Sequence, residues 1–318
     1  MSVYTVVDRG DLVEFLQDYA VGQLDSFEGI SAGIENTNYF VNTIHNGQTQ
    51  RFVLTIFEHH CFDELPYFLN IMAFMAEHKI PTAHPVKSFS NGYLKALKGK
   101  PAALVERLQG SGVEAPNCEQ CAVMGQSLAR FHQAGADFTD YRANDRGLDW
   151  MQNTYQGIRP HLEADEQVLI ETELAFQQTI DWSELPAGVI HADLFCDNAL
   201  FCEDQLSGII DLYYACNAAF LYDLAVMVND WCRVNSLGVE QIHFDQTKVQ
   251  AMLEAYAQQR PLNRLEQQAW PAALRLAALR FFLSRLKDKH IPREGEMTQI
   301  KDPNVFKQVL LLHRQAAV

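Results

Sequence analysis

Residues 191–198, His-Ala-Asp-Leu-Phe-Cys-Asp-Asn, followed by Ile209-Ile210-Asp211, have the types and spacing needed to move a phosphoryl group. Such a transfer asks little covalent chemistry of a protein. It requires an oriented acceptor hydroxyl and a metal-bound phosphate. Val189 and Ile190 are a short apolar run whose burial fixes the loop that follows, and with it Asp193. From there Asp193 can accept a hydrogen bond from a hydroxyl and take its proton as the new bond forms. Asn198 supplies a neutral carbonyl oxygen, a hard ligand suited to Mg2+. Residues 199–201 and 206–210 are apolar runs around the polar turn Glu203-Asp204-Gln205, a hairpin pattern that returns Asp211 beside Asn198 as a second metal ligand. Taken singly, each residue also has an ordinary reading, as a turn cap or a helix start. Their conjunction points to ATP and Mg2+.

The elements that must position these residues are legible from periodicity. Leu12, Phe15, Leu16 and Tyr19 recur at helical spacing after Asp11. Residues 23–27, 39–44 and 52–57 are short β-forming runs, the last two joined by the turn signal Asn46-Gly47. Residues 62–78 place Leu65, Phe68, Leu69, Met72 and Met75 on one helical face before Pro81, and 93–97 and 101–106 form a hairpin around Lys98-Gly99-Lys100. Residues 107–116, with Gly110 and Gly112, are a polar connector between this β-rich part and an α-rich remainder that begins with a helix around 123–133.

Composition narrows the class. A chain of 318 residues with 48% hydrophobic content can build substantial cores, and a formal charge of −15 opposes nucleic acid and anionic membranes as partners. The expected partner is a small molecule. No charged and apolar leader opens the chain and no apolar run approaches a membrane span, so a cytoplasmic location is expected. The seven cysteines are odd in number and scattered, as reduced thiols are. Cys118 and Cys121 make one C-x-x-C without a second pair to complete a zinc site.

The 191–198 segment is similar to the catalytic loop of the aminoglycoside phosphotransferase-like kinases, distant relatives of protein kinases, with Phe195 where protein kinases usually carry lysine. Further stretches resemble the homoserine kinases of that type: G-I-E-N-T-N-Y-F from Gly33, V-L-T-I-F from Val53, D-L-Y-Y-A-C-N from Asp211, Y-D-L-A-V-M-V-N-D-W-C from Tyr222, A-A-L-R-F-F-L-S-R-L from Ala277 and K-D-P from Lys301. The resemblance implies an α+β, two-lobed protein-kinase-like fold, with a small antiparallel-sheet N-lobe over residues 1–109 that binds nucleotide and a mainly helical C-lobe over 110–318 that carries the catalytic loop. It implies transfer of the γ-phosphoryl of ATP to the hydroxyl of L-homoserine, giving O-phospho-L-homoserine for threonine biosynthesis. Another small alcohol as acceptor, such as an amino alcohol, thiosugar or aminoglycoside, and a non-catalytic nucleotide sensor are the alternatives.

Site residues follow from the same likeness. The phosphate loop falls on residues 31–38, where Gly33 allows close backbone approach and Asn36, Thr37 and Asn38 offer donors. Adenine is expected against the backbone of Glu106 to Leu108. Thr55 stands where the third strand normally presents a lysine to the phosphates, which leaves Glu58 or Glu64 without the usual partner. The acceptor's ammonium and carboxylate each need an opposite charge, for which Asp230, Arg280 and Arg285 are the candidates. Asp223 is expected to tie its helix to the catalytic loop, and His191 to orient that loop. Oligomeric state has no signature in the sequence.

Overall fold

The structure is a computed structural model, and it describes residues 4–30, 36–235, 242–292 and 301–316. Gly33 and the rest of 31–35 lie outside the described residues. The chain divides into two compact units, Met1–Gln109 and Gly110–Val318.

The first unit opens with α1 (Arg9–Leu16), started by a reciprocal capping box between Asp8 and Asp11. Five strands follow: β1 (Gln23–Gly29), β2 (Thr37–His45), β3 (Gln48–Ile56), β4 (Leu94–Leu97) and β5 (Lys100–Glu106), with α2 (Leu65–Glu77) between β3 and β4. They form one antiparallel sheet in the order β1-β2-β3-β5-β4. The two tight hairpins are set by backbone chemistry. Asn46 (φ 52°) and Gly47 (φ 76°), and Lys98 (φ 52°) and Gly99 (φ 77°), are left-handed pairs, as a two-residue hairpin matched to strand twist requires. One face of the sheet, with Tyr39, Val41, Leu54, Ile56, Ala102 and Leu104, buries Leu12, Phe15 and Leu16 of α1.

The second unit contains α3 (Cys118–Gly135), α4 (Leu148–Ile158), α5 (Ala164–Gln177), β6 (Ala187–Ile190), β7 (Ala199–Cys202), β8 (Gln205–Ile209), β9 (Cys216–Ala219), α6 (Phe220–Trp231), β10 (Arg233–Asn235), β11 (Ile242–Phe244), α7 (Gln246–Gln259), α8 (Arg264–His290) and α9 (Asn304–Gln315). Its strands make three separate antiparallel pairs, β6 with β9, β7 with β8 and β10 with β11. Helix α6 is apolar on nearly every side, as a helix at the centre of a core must be, and α8 packs along it. Close packing of α3 on α7 depends on Gly125, where a Cβ would lie 2.2 Å from the Met252 carbonyl oxygen. Gly110, at φ +94°, passes so close to β7 that a Cβ would stand 2.5 Å from the Phe201 carbonyl oxygen.

Candidate active site

Strand β6 is buried at Val189 and Ile190 and delivers the chain into the loop that begins at His191. The loop then folds on itself. The Phe195 N–H donates to the Asp193 carbonyl at 2.9 Å, the Asn198 N–H to the Phe195 carbonyl at 3.0 Å, and residues Cys196–Asn198 form one 3-10 turn leading into β7. In the β7–β8 hairpin Ala199 pairs with Ile209, and the Ile210 N–H donates to the Asn198 carbonyl at 3.0 Å, which sets Asp211 next to Asn198. Asp211 is a left-handed residue (φ 61°) and exposed. Asn198 is 9% exposed, and its Nδ2 donates to the Asp193 carbonyl at 2.8 Å and lies 3.4 Å from Asp193 Oδ2. That bond fixes the amide, so Oδ1 is the atom left for a cation. Among the described residues no cluster of three His, Cys, Asp or Glu is built for a metal. Two protein oxygens, with phosphate and water to complete the shell, suit Mg2+, which dehydrates reluctantly.

Buried charge holds the loop in place. Asp223 of α6 is fully buried, and its carboxylate accepts the N–H groups of His191 and Ala192, each at 2.8 Å. Burial pushes its pKa up, but hydrogen bonding from His132 and from the loop outweighs this and leaves the group below the usual carboxylate range. His132 Nε2 lies 3.1 Å from Asp223, and its Nδ1 lies 2.8 Å from the Tyr256 hydroxyl, which accepts from Arg260 at 3.1 Å. Burial keeps His132 and His191 below the ordinary histidine value, so both are neutral at pH 7. His191 Nε2 then donates to the Ile210 carbonyl at 2.9 Å, tying the loop's start to the end of β8, and its Nδ1 faces the Asp193 N–H at 3.3 Å.

These shifts carry a pH dependence. A histidine whose pKa is lower in the folded chain takes up its proton preferentially when unfolded, so stability is lost as pH falls below about 6.5. His313 acts in the same sense: burial pulls it to about 4, and its Nε2 donates to Asn229 Oδ1 at 2.7 Å. It alone should cost about 3 kcal/mol by pH 4. Urea midpoints are therefore expected to be flat above pH 7.5 and to fall steadily from pH 6.5 downward. Equal midpoints at pH 7.5 and 5 would contradict this account.

Around the loop, Phe195 packs against Phe281 and Phe306, with ring centroids 4.4 and 5.9 Å away, an apolar anchor where protein kinases carry a cation. Asp193 Oδ1 lies 3.4 Å from Arg280 Nη1 in an ion pair whose side chains are 18% and 6% exposed. Asp230 Oδ2 accepts the Cys196 N–H at 2.9 Å, and Oδ1 lies 3.3 Å from Arg233. Arg285 donates to the Asp302 carbonyl at 2.9 Å and stacks over Phe306. Arg280 is thus joined to the Asp193 carboxylate itself, and Asp230 to the loop backbone. Cys196 is not a reactive thiol: burial first, then Asp230, push its pKa upward. All seven cysteines are free, and of the C-x-x-C pair Cys118 is exposed while Cys121 is buried.

In the first unit the three phosphate-loop candidates that are described separate by face. Thr37 is buried, with its hydroxyl donating to Glu58 Oε1 at 2.6 Å and accepting from the N–H groups of Tyr4 and Thr5. Asn38 sits on the opposite face, where its Oδ1 accepts the Thr55 hydroxyl at 2.8 Å. Asn36 accepts the Glu58 N–H at 3.4 Å. Glu58 does have a basic partner, Lys100 at the start of β5. Burial raises its pKa, but bonds from Lys100, Thr37 and Thr5 leave the carboxyl below its usual value. No local pattern in the sequence signals this pair. Thr55 pairs with Ala103, so Lys100 shares the face of Ala102 and Leu104 and stands across the sheet from Thr55. It does not occupy the place of the missing strand lysine. At the end of β5 the Glu106 N–H donates to His84 and the Arg107 N–H to Arg51, with Leu108 half-buried beyond them.

A five-stranded antiparallel sheet, and a separate helical unit that brings Asp193, Asn198 and Asp211 onto one loop and hairpin, make a protein-kinase-like fold. A sequence profile of the phosphotransferase enzyme family matches residues 26–262, and the chain belongs to that family. It is 46% identical over 310 residues to the homoserine kinase of Methylobacillus flagellatus, covering 98% of this chain and 94% of that one. To the homoserine kinase of Cupriavidus pinatubonensis it is 42% identical over 318 residues, covering 98% and 95%. In fold it is similar to an amicoumacin kinase solved with AMP-PNP and Ca2+, with a TM-score of 0.71 at 14% identity over 97% of this chain and 92% of that one.

Proposed function

We propose that this protein is an ATP-dependent homoserine kinase, forming O-phospho-L-homoserine for threonine biosynthesis. The observation that carries the chemistry is the convergence of Asp193, Asn198 and Asp211 through one 3-10 turn and one hairpin. Near-full-length likeness to homoserine kinases supports the choice of acceptor.

In this reading Asp193 orients the acceptor hydroxyl and takes its proton, while Arg280 is a positioning residue that steadies the carboxylate. Asn198 Oδ1 and the Asp211 carboxylate would hold Mg2+, whose positive charge would offset that of the phosphates. On the first unit Gly33, Asn36 and Asn38 attend the phosphates, with Thr37 as the buried post of that segment, and the Glu106–Leu108 backbone faces adenine. Asp230 answers the acceptor's ammonium and Arg285 its carboxylate. Among the described residues no helix is long and apolar enough to cross a membrane. We assign the reaction to the cytoplasm, in keeping with seven free thiols.

ADP release over a panel of alcohols tests this directly. Turnover with L-homoserine that stops on adding EDTA is expected. Silence with homoserine, together with turnover of choline, a thiosugar or an aminoglycoside, would overturn the acceptor.

A further inference from the structure

At the start of β2 successive side chains go to opposite faces of the sheet, and each face ties them differently. Thr37 shares the buried face of Tyr39, where its hydroxyl donates to Glu58 and accepts two backbone N–H groups. Asn38 therefore lies on the other face, directly across from Thr55 in the β2–β3 register. Its carbonyl accepts the Ile30 N–H at 2.8 Å, which closes the β1–β2 connection and fixes the backbone there. The Asn38 side chain is fixed as well. Its Nδ2 donates to the Asn36 carbonyl at 3.3 Å, and because a carbonyl oxygen only accepts, the nitrogen end of the amide must be the one facing it. Oδ1 then accepts the Thr55 hydroxyl at 2.8 Å. Thr55 is 5% exposed, so its hydroxyl is shielded from competing water, whereas Asn38 is half-buried. One N–H of the Asn38 amide is committed to Asn36, and among the described residues no acceptor pairs with the other.

We propose that Thr55 is a positioning residue for the phosphates of ATP: by holding Oδ1 of Asn38, its hydroxyl aims the second Nδ2 hydrogen at a phosphate oxygen. The inference rests on the reading above that Asn38 attends the phosphates, and deepens it by giving Thr55 a role. A primary amide on a half-buried side chain can turn over about its terminal torsion, and once turned it offers an oxygen to an anion. Oxygen there repels phosphate. One bond at each end of the amide excludes the turned state before nucleotide arrives, so the ordering cost is not met on binding. Thr55, at the strand position where a lysine is usual, thus works without charge, through the neutral donor it orients.

Thr55→Val tests this, because it keeps the branched shape that suits a strand and removes only the hydroxyl. The KM for ATP should rise about fivefold, with kcat and the KM for L-homoserine within about twofold of wild type. Calorimetric binding of AMP-PNP should weaken by the same factor, while the inhibition constant of adenosine, which carries no phosphate, should stay within about twofold. Thr55→Ser restores the donor and should bind AMP-PNP as wild type does. Asn38→Ala should weaken AMP-PNP binding at least as much as Thr55→Val, and combining the two should cost nothing further, because Thr55 acts only through Asn38. Wild-type AMP-PNP binding by Thr55→Val, equal losses for AMP-PNP and adenosine, or full additivity with Asn38→Ala each overturns the proposal. Loss by Asn38→Ala with none by Thr55→Val leaves the phosphate reading of Asn38 standing, whereas unchanged binding by Asn38→Ala ends that reading and the proposal with it. Should Thr55→Val not fold, Thr55→Cys decides, since a thiol is a weak donor: AMP-PNP bound as tightly as by wild type overturns the proposal.

Discussion

Asp193→Asn is expected to lower kcat on the order of 10³-fold while leaving ATP affinity within about twofold of wild type. Asparagine keeps the shape of the side chain and can still bond the acceptor, but it carries no charge and takes no proton. The backbone geometry should survive, because the bonds that shape the turn are made by the Asp193 carbonyl, to Phe195 N–H and Asn198 Nδ2, and not by its carboxylate. The oxygens of Asn198 and Asp211 that are proposed to hold the metal are untouched, which is why nucleotide binding should hold. Arg280 loses its ion partner, 3.4 Å away, so part of the loss reflects a reoriented guanidinium. Arg280→Lys in the wild-type background separates that part, and it should cost far less than Asp193→Asn. Steady-state kinetics with titrated nucleotide are the measurement. Wild-type turnover by the asparagine variant would remove Asp193 from the chemistry.

Asp223→Ala should act through stability, costing roughly 3–5 kcal/mol, because it strips three partners at once in a fully buried place. Two backbone N–H groups, of His191 and Ala192, would be left unpaired, and His132 would lose its acceptor. Ala192 holds a left-handed backbone (φ 65°), a conformation that costs energy and persists only while its surroundings impose it. Without the carboxylate the loop can relax, so activity should fall along with the melting temperature, which should drop on the order of 10 °C. Thermal unfolding followed by circular dichroism reads this. A shift of only a degree or two would show that Asp223 is not the loop's anchor.

The regular elements were legible because their causes are local. The Asn46-Gly47 turn lies between paired strands, and the expected helix over 62–78 is observed as Leu65–Glu77. The first helix ends at Leu16, short of Tyr19, whose ring nevertheless packs on Phe15. The candidate site was legible for the same reason: Asp193, Asn198 and Asp211 are close along the chain, and one turn and one hairpin suffice to gather them.

What the sequence determined by itself is therefore the chemistry that short covalent spacing can enforce, together with the likeness spread along the chain. Tertiary structure alone decided the pairings between distant residues: Lys100 with Glu58, 42 positions apart; Arg280 with Asp193, 87 apart; His132 with Asp223, 91 apart. It alone turned the Thr37 hydroxyl inward. No periodicity encodes such pairs. A buried charge is compensated by whichever partner the packing of helices and strands brings near, and that choice is made only when the whole core closes.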